Sequence, residues 1–163
     1  MNPPAKLSEL MECVEFDMEL IDYYFDRKTG RVIMVEKALR EALEAGDDEE
    51  ELETLYDGGK EMVEITREII NDIGPDPRFI DAPCQFDFHE YREMERFIGT
   101  LGDAVAVEQL TRAIRGKGAF RYFKDTVARL GLRDQWFSFR DAALKECVLR
   151  WASANDVTVD ESQ

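Results

Sequence analysis

Leu7, Leu10, Met11 and Val14 recur at i, i+3, i+4 and i+7, a spacing that predicts a short amphipathic helix over residues 6–16. The period then shortens. Tyr23, Phe25, Val32 and Met34 alternate with their neighbours, and the break DRKTG places turn formers at Asp26 and Gly30. Two antiparallel strands follow, about 19–25 and 31–36, with Gly30 free to take the positive φ of a bulged hairpin turn. Asp22 and Asp26 lack the alternating oxygen ligands and closing Glu of a calcium loop, so Asp26 reads as a turn residue.

Helical spacing returns at Ala38, Leu39, Ala42 and Leu43, predicting a helix over 37–46 that ends at Gly46. From Lys60 to Asp72, Met62, Ile65 and Ile69 form an apolar stripe, continued by Ile73, and Gly74-Pro75-Asp76-Pro77 stops the helix. Residues 78–82 read as a third strand for the hairpin sheet, because a lone hairpin is marginal in water. Asp87 and Glu90 have the spacing of a capping box for a helix to about Ile98, with Tyr91, Met94 and Ile98 inward. The last third predicts three helices. Asp103 caps the first, which carries Val107, Leu110 and Ile114. The second, Ala119 to Leu130, turns Phe120, Phe123, Val127 and Leu130 inward and stops at Gly131, with Leu132 folding back. Asp134 caps the third, which runs to about Ala154; the polar tail 156–163 reads as frayed.

The fold class is therefore α+β: a small antiparallel hairpin sheet, with residues 78–82 as candidate third strand, packed on helices, and a C-terminal helical subdomain. Charge divides the chain into an acidic part, 1–76, and a helical part with a basic segment, 77–155, expected to share one compact domain. Residues 1–75 hold 8 Lys+Arg against 21 Asp+Glu, net −13, whereas residues 112–150 hold 10 against 4, net +6. The acidic run from Asp47 to Glu53 has two readings, a docking face for a basic partner or a solvated helix start. The helix dipole favours the second. A whole-chain charge of −15 repels nucleic acid at long range.

No apolar run approaches the roughly 20 residues of a membrane span. The opening MNPPAKLSEL lacks a signal-like apolar stretch. The expectation is a cytoplasmic protein without membrane association. Cys13, Cys84 and Cys147 are scattered and odd in number, without a CxxC pair, which fits thiols rather than a disulfide or metal framework.

Catalytic signals are sparse. His89 is the only histidine and has no ligand or nucleophile at useful spacing. Gly116-Lys117-Gly118 is too short for a phosphate-binding P-loop and lacks its hydroxyl. No catalytic residue, cofactor or metal is assigned. The chemistry that remains is the stretch RGKGAFRYFKD. Arg115, Lys117, Arg121, Lys124 and Arg129 form a candidate anion-binding set at the start of a helix, with Tyr122 placed to stack and Arg133 and Arg140 placed to extend it. The competing reading makes Gly116 a helix stop and Gly118 a tight turn, with the basic residues pairing with acidic ones.

HEYREMERFI, AIRGKGAFRYFKD and WFSFRDAALKECVLRW, in that order, together with YYFDRKTGRV near the start, resemble a bacterial group called uncharacterised protein family 0158. The resemblance spans about residues 20–155 and implies one shared bacterial domain. It implies no activity, cofactor or catalytic residue. The functional expectation is a non-catalytic intracellular protein-interaction or regulatory module, with a protein partner or self-association. The first alternative is phosphate or nucleic-acid binding through segment 112–133; the second is an enzyme of unidentified class.

Overall fold

The computed structural model describes residues 1–162. In chain order the elements are β1 (Ala5–Lys6), α1 (Leu7–Glu15), β2 (Ile21–Asp26), β3 (Arg31–Glu36), α2 (Lys37–Glu44), α3 (Glu49–Leu55), α4 (Gly59–Asn71) and β4 (Phe79–Asp81). A short 3-10 turn at Gln85–Asp87 leads to α5 (Glu90–Thr100), α6 (Ala104–Ala113), α7 (Ala119–Arg129), α8 (Arg133–Ala154) and β5 (Val159–Asp160). The class is α+β. Two compact units emerge, Met1–Gln85 with Val148–Gln163, and Phe86–Cys147. Among the described residues no helix is long and apolar enough to cross a membrane.

In the first unit the sheet order is β3-β2-β4, antiparallel throughout. The third strand forms as expected, pairing Tyr24 with Asp81, Phe25 with Ile80 and Asp26 with Phe79. The hairpin turn needs Gly30 twice over. Its φ is +71°, and an added Cβ would lie 2.8 Å from the Pro4 carbonyl oxygen. Tyr24, Val35, Ile69 and Phe79 form one buried cluster, and Leu39, Leu43, Leu52 and Val63 another. Phe25 is buried as alternation predicts, but the interior face of the hairpin is that of Tyr24 and Val35, while Tyr23, Val32 and Met34 lie on the other face, and α4 buries Val63, Thr66 and Ile69 with Met62 and Ile65 only partly covered. Ile73 departs from the expected stripe. It lies past the end of α4 and is 91% exposed.

The chain's end is also ordered differently from expectation. The tail is not frayed over 157–160. Val159 and Asp160 pair in parallel with Ala5 and Lys6, and the Ala5 amide donates to the Thr158 carbonyl. The helix exit is fixed by the Val157 amide, which donates to the Ala152 carbonyl at 2.8 Å. Upstream in α8, the Trp151 ring stands edge-on to Phe25, and its indole N–H donates to the Asp81 carbonyl.

The second unit is helical, built on an aromatic centre. Phe97, Phe123 and Trp136 are buried, with ring centroids 4.8–6.2 Å apart in edge arrangements. Such pairs add about 0.5–1.5 kcal/mol each beyond burial. Met94, Ile98, Leu110, Ile114 and Val127 complete the cluster. Asp103 caps α6 as predicted, accepting from the Val105 and Ala106 amides. Gly131 and Leu132 close α7, the Leu132 amide donating to the Val127 carbonyl. Four expectations are corrected. Residues 85–87 form the 3-10 turn, so α5 starts at Glu90 with His89, not Asp87, at its cap. Helix α8 starts at Arg133, which puts Asp134 inside the first turn rather than at the cap. Phe120 is 47% exposed, outside the cluster that Phe123 fills. Tyr91 is 40% exposed, its hydroxyl drawn instead to the Ile114 carbonyl.

Candidate functional site

In the first unit a groove of about 370 Å³ opens between α1 and the β2–β3 hairpin. Cys13, Phe16, Met18, Tyr23, Val32 and Met34 line its apolar part. Helix α1 buries Leu7, Leu10, Cys13 and Val14, and its C-cap at Phe16 ends the repeat. The chain then turns so that Phe16 and Met18 stand 64% and 55% exposed. Met34 is exposed because strand alternation turns Val35 inward and Met34 outward. Leu20 adds a further exposed apolar side chain nearby in the chain. The Tyr23 hydroxyl donates to the Phe16 carbonyl at 2.8 Å, fixing the bend at the groove mouth.

The polar rim is Glu9, Glu12 and Arg31. Arg31 pairs with Glu9 at 3.2 Å, and Glu9 also accepts from the Val32 amide. Glu12 has no ion-pair partner among the described residues, so its charge faces the rim uncompensated. Burial pushes the Cys13 thiol up to about 12, and the Glu9 and Glu12 charges push the same way. A thiol held protonated is a poor nucleophile. Cys13 therefore contributes contact surface to the groove rather than a nucleophile. The sequence reading did not single it out. Phe16 and Met18 fall after the last helical repeat, and nothing local distinguishes an exposed apolar side chain there from a buried one.

The second unit carries the basic segment. A shallow groove of about 320 Å³ between α6 and α7 is lined by Gln109, Arg112, Ala113, Arg115, Tyr122, Thr126 and Arg129. Of the five residues singled out from the sequence, Arg115 and Arg129 line this groove. Lys117, Arg121 and Lys124 do not. Lys117 is exposed in the turn between Gly116 and Gly118, and Lys124 is exposed on α7. Arg121 lies 3.9 Å from Asp125, one turn on, and both are well exposed. Arg112, the neighbour the sequence reading left out of the set, joins the groove and pairs with Glu108 at 2.9 Å. Arg140 does not extend the patch. It is mostly buried, donates to Glu90 at 2.9 Å and lies over the Phe88 ring. Arg133 lies over Phe137.

Gly118 sets the position of Tyr122. Its φ is +76°, and an added Cβ would lie 3.1 Å from the Tyr122 ring, so the missing side chain lets that ring lie across the turn.

Comparison with curated proteins and with solved structures finds no match. The family model that does match extends well past the stretch on which the resemblance was read, from residue 2 to residue 162. It includes the hairpin, both grooves and the β1–β5 pair, and so the chain belongs to Uncharacterised protein family (UPF0158).

Proposed function

We propose that this protein is a non-catalytic protein-interaction module of the bacterial cytoplasm, and that the groove between α1 and the hairpin receives a cationic amphipathic helix of its partner. The observation that carries the reading is the set Phe16, Met18 and Met34, each more than half exposed around one 370 Å³ groove. Contiguous exposed apolar side chains with a polar rim are the usual mark of a docking surface. Methionines suit it, because their flexible chains repack around an incoming helix.

Charge selects the partner. The first unit holds 10 Lys+Arg against 26 Asp+Glu, net −16, while the second holds 11 against 10, net +1. An acidic unit with Glu12 open on the groove rim attracts a helix bearing Lys or Arg beside its apolar stripe and repels an acidic one. The thiols Cys13, Cys84 and Cys147, none in a disulfide, fit a reducing compartment.

The test is fluorescence anisotropy with a labelled Leu/Lys amphipathic helical peptide and its Leu/Glu counterpart. The reading expects saturable micromolar binding of the Lys peptide alone, weakened about tenfold or more by Met34→Asp, since that change buries a charge against apolar contacts. Equal binding of both peptides, or full affinity in Met34→Asp, rejects it.

A further inference from the structure

The α6–α7 groove is remote in chemistry from the acidic, apolar one. Three guanidinium groups, from Arg112, Arg115 and Arg129, border one depression with a phenol, a hydroxyl and an amide. Their internal commitments are light. Arg112 has one exposed pair with Glu108, and Arg129 donates to the Gln109 side-chain oxygen at 3.1 Å. Arg115 has no side-chain partner among the described residues. Guanidinium pairs hold phosphate with paired, charge-assisted hydrogen bonds. Of the three lining arginines only Arg112 has an ion pair among the described residues, which leaves an excess of positive charge along the lining for an anion to balance.

The neighbouring groups narrow the ligand. Tyr122 is 56% exposed, its ring held across the turn by the absence of a Gly118 side chain. An exposed, positioned aromatic ring offers a stacking face to a flat ring. Thr126 and Gln109 add hydrogen-bonding groups to the lining. The volume, about 320 Å³, lies at the small end of the range for small-molecule sites. A long polyanion meets the field of a chain at −15, which a small ligand of one or two charges feels far less.

We infer that the groove between α6 and α7 is a binding site for a small phosphate monoester of mononucleotide size, its phosphate held by Arg112, Arg115 and Arg129 and its ring against Tyr122. The site is independent of the peptide groove and stands or falls without it.

Isothermal titration of the full chain with AMP, inorganic phosphate, adenosine and a short single-stranded DNA tests this. AMP binds more tightly than inorganic phosphate, and adenosine shows no saturation. Arg115→Gln and Arg129→Gln each weaken AMP about tenfold or more, as loss of a charge-assisted pair requires. Tyr122→Leu weakens AMP while leaving inorganic phosphate within about twofold, because only the ring loses its stacking face. Lys124→Gln, outside the groove, changes neither. Arg115, Tyr122, Lys124 and Arg129 are all exposed, and circular dichroism checks that each variant is folded. No saturable AMP binding up to about 5 mM, an equal loss in Lys124→Gln and Arg115→Gln, or tighter binding of the DNA strand than of AMP overturns the inference.

Discussion

Arg78 closes on Asp26 with two parallel hydrogen bonds, Nε to Oδ1 and Nη2 to Oδ2, both at 2.8 Å. Asp26 is 1% exposed and ends β2; Arg78 precedes β4, 52 residues later. The same carboxylate accepts from the Lys28 amide and the Thr29 hydroxyl, so it also builds the hairpin turn. One buried carboxylate thus ties the hairpin to the strand that completes the sheet. Breaking a buried pair by removing one partner leaves the other charge uncompensated, at about 3–5 kcal/mol. Arg78 retains some solvent, so Arg78→Ala is predicted at the low end, about 3 kcal/mol. Urea unfolding measures it. A cost under about 1 kcal/mol, the range of exposed pairs, contradicts the assignment.

That carboxylate also sets a pH dependence. Burial alone raises its pKa, but the hydrogen bonds from Arg78, Thr29 and the Lys28 amide outweigh it and hold the group below its ordinary value. A carboxyl whose folded pKa lies below its unfolded value, about 3.9, stabilises the fold fully above that value. The contribution is lost as pH falls through the folded pKa. The stability gap between the wild type and Asp26→Asn is therefore flat from about pH 5 to 8 and narrows below about pH 4. Urea midpoints across that range check it; a gap that widens on acidification contradicts it.

Cys13 gives a chemical prediction. With its thiol pushed up to about 12 by burial and by the Glu9 and Glu12 charges, it carries little thiolate at neutral pH. N-ethylmaleimide on the folded protein is expected to modify the half-buried Cys84 well before Cys13. Peptide mass spectrometry after timed quenching reads the order. Cys13 reacting first would show that α1 opens readily from the hairpin.

Gly116 and Gly118, which flank Lys117, differ in their surroundings. Gly118→Ala is predicted to cost about 1–2 kcal/mol for placing a Cβ at positive φ. It also displaces the Tyr122 ring, because the new Cβ would lie 3.1 Å from it. Gly116→Ala carries the backbone cost alone, since no atom lies within 4 Å of its added Cβ. Unfolding and the tyrosine NMR signals separate the two effects. Equal perturbation of Tyr122 in both variants contradicts the account.

Local patterns carried much of this fold. Alternation marked the hairpin, and the gain in pairing for a lone hairpin marked residues 78–82 as its third strand, which forms over Phe79–Asp81. Asp103, and Gly131 with Leu132, declared helix ends through side chains that act within a few residues. Errors came where a distant partner decides. The tail pairs with β1 across the length of the chain. Phe120 sits at a helical spacing from Phe123, but at the first turn of α7 no helix covers it. The basic groove was half legible. Composition found the segment, yet it could not say that Arg112 in α6 and Arg115 just beyond it line one groove with Arg129 of α7, while Lys117, Arg121 and Lys124 do not. The apolar groove had no signal at all, because exposure of Phe16 and Met18 depends on what fails to cover them.

The proposed docking at the α1–hairpin groove admits a direct test through the methionines of that groove. Of the six in the chain, Met18 and Met34 line the groove, while Met94 is fully buried and Met62 packs into the α2–α4 core. Methyl NMR of methionine-labelled protein, titrated with the Leu/Lys amphipathic peptide, separates these positions. The account predicts saturable shifts at Met18 and Met34, with Met62 and Met94 unmoved. Saturable binding that leaves Met18 and Met34 in place, or no shift at any methionine, contradicts it.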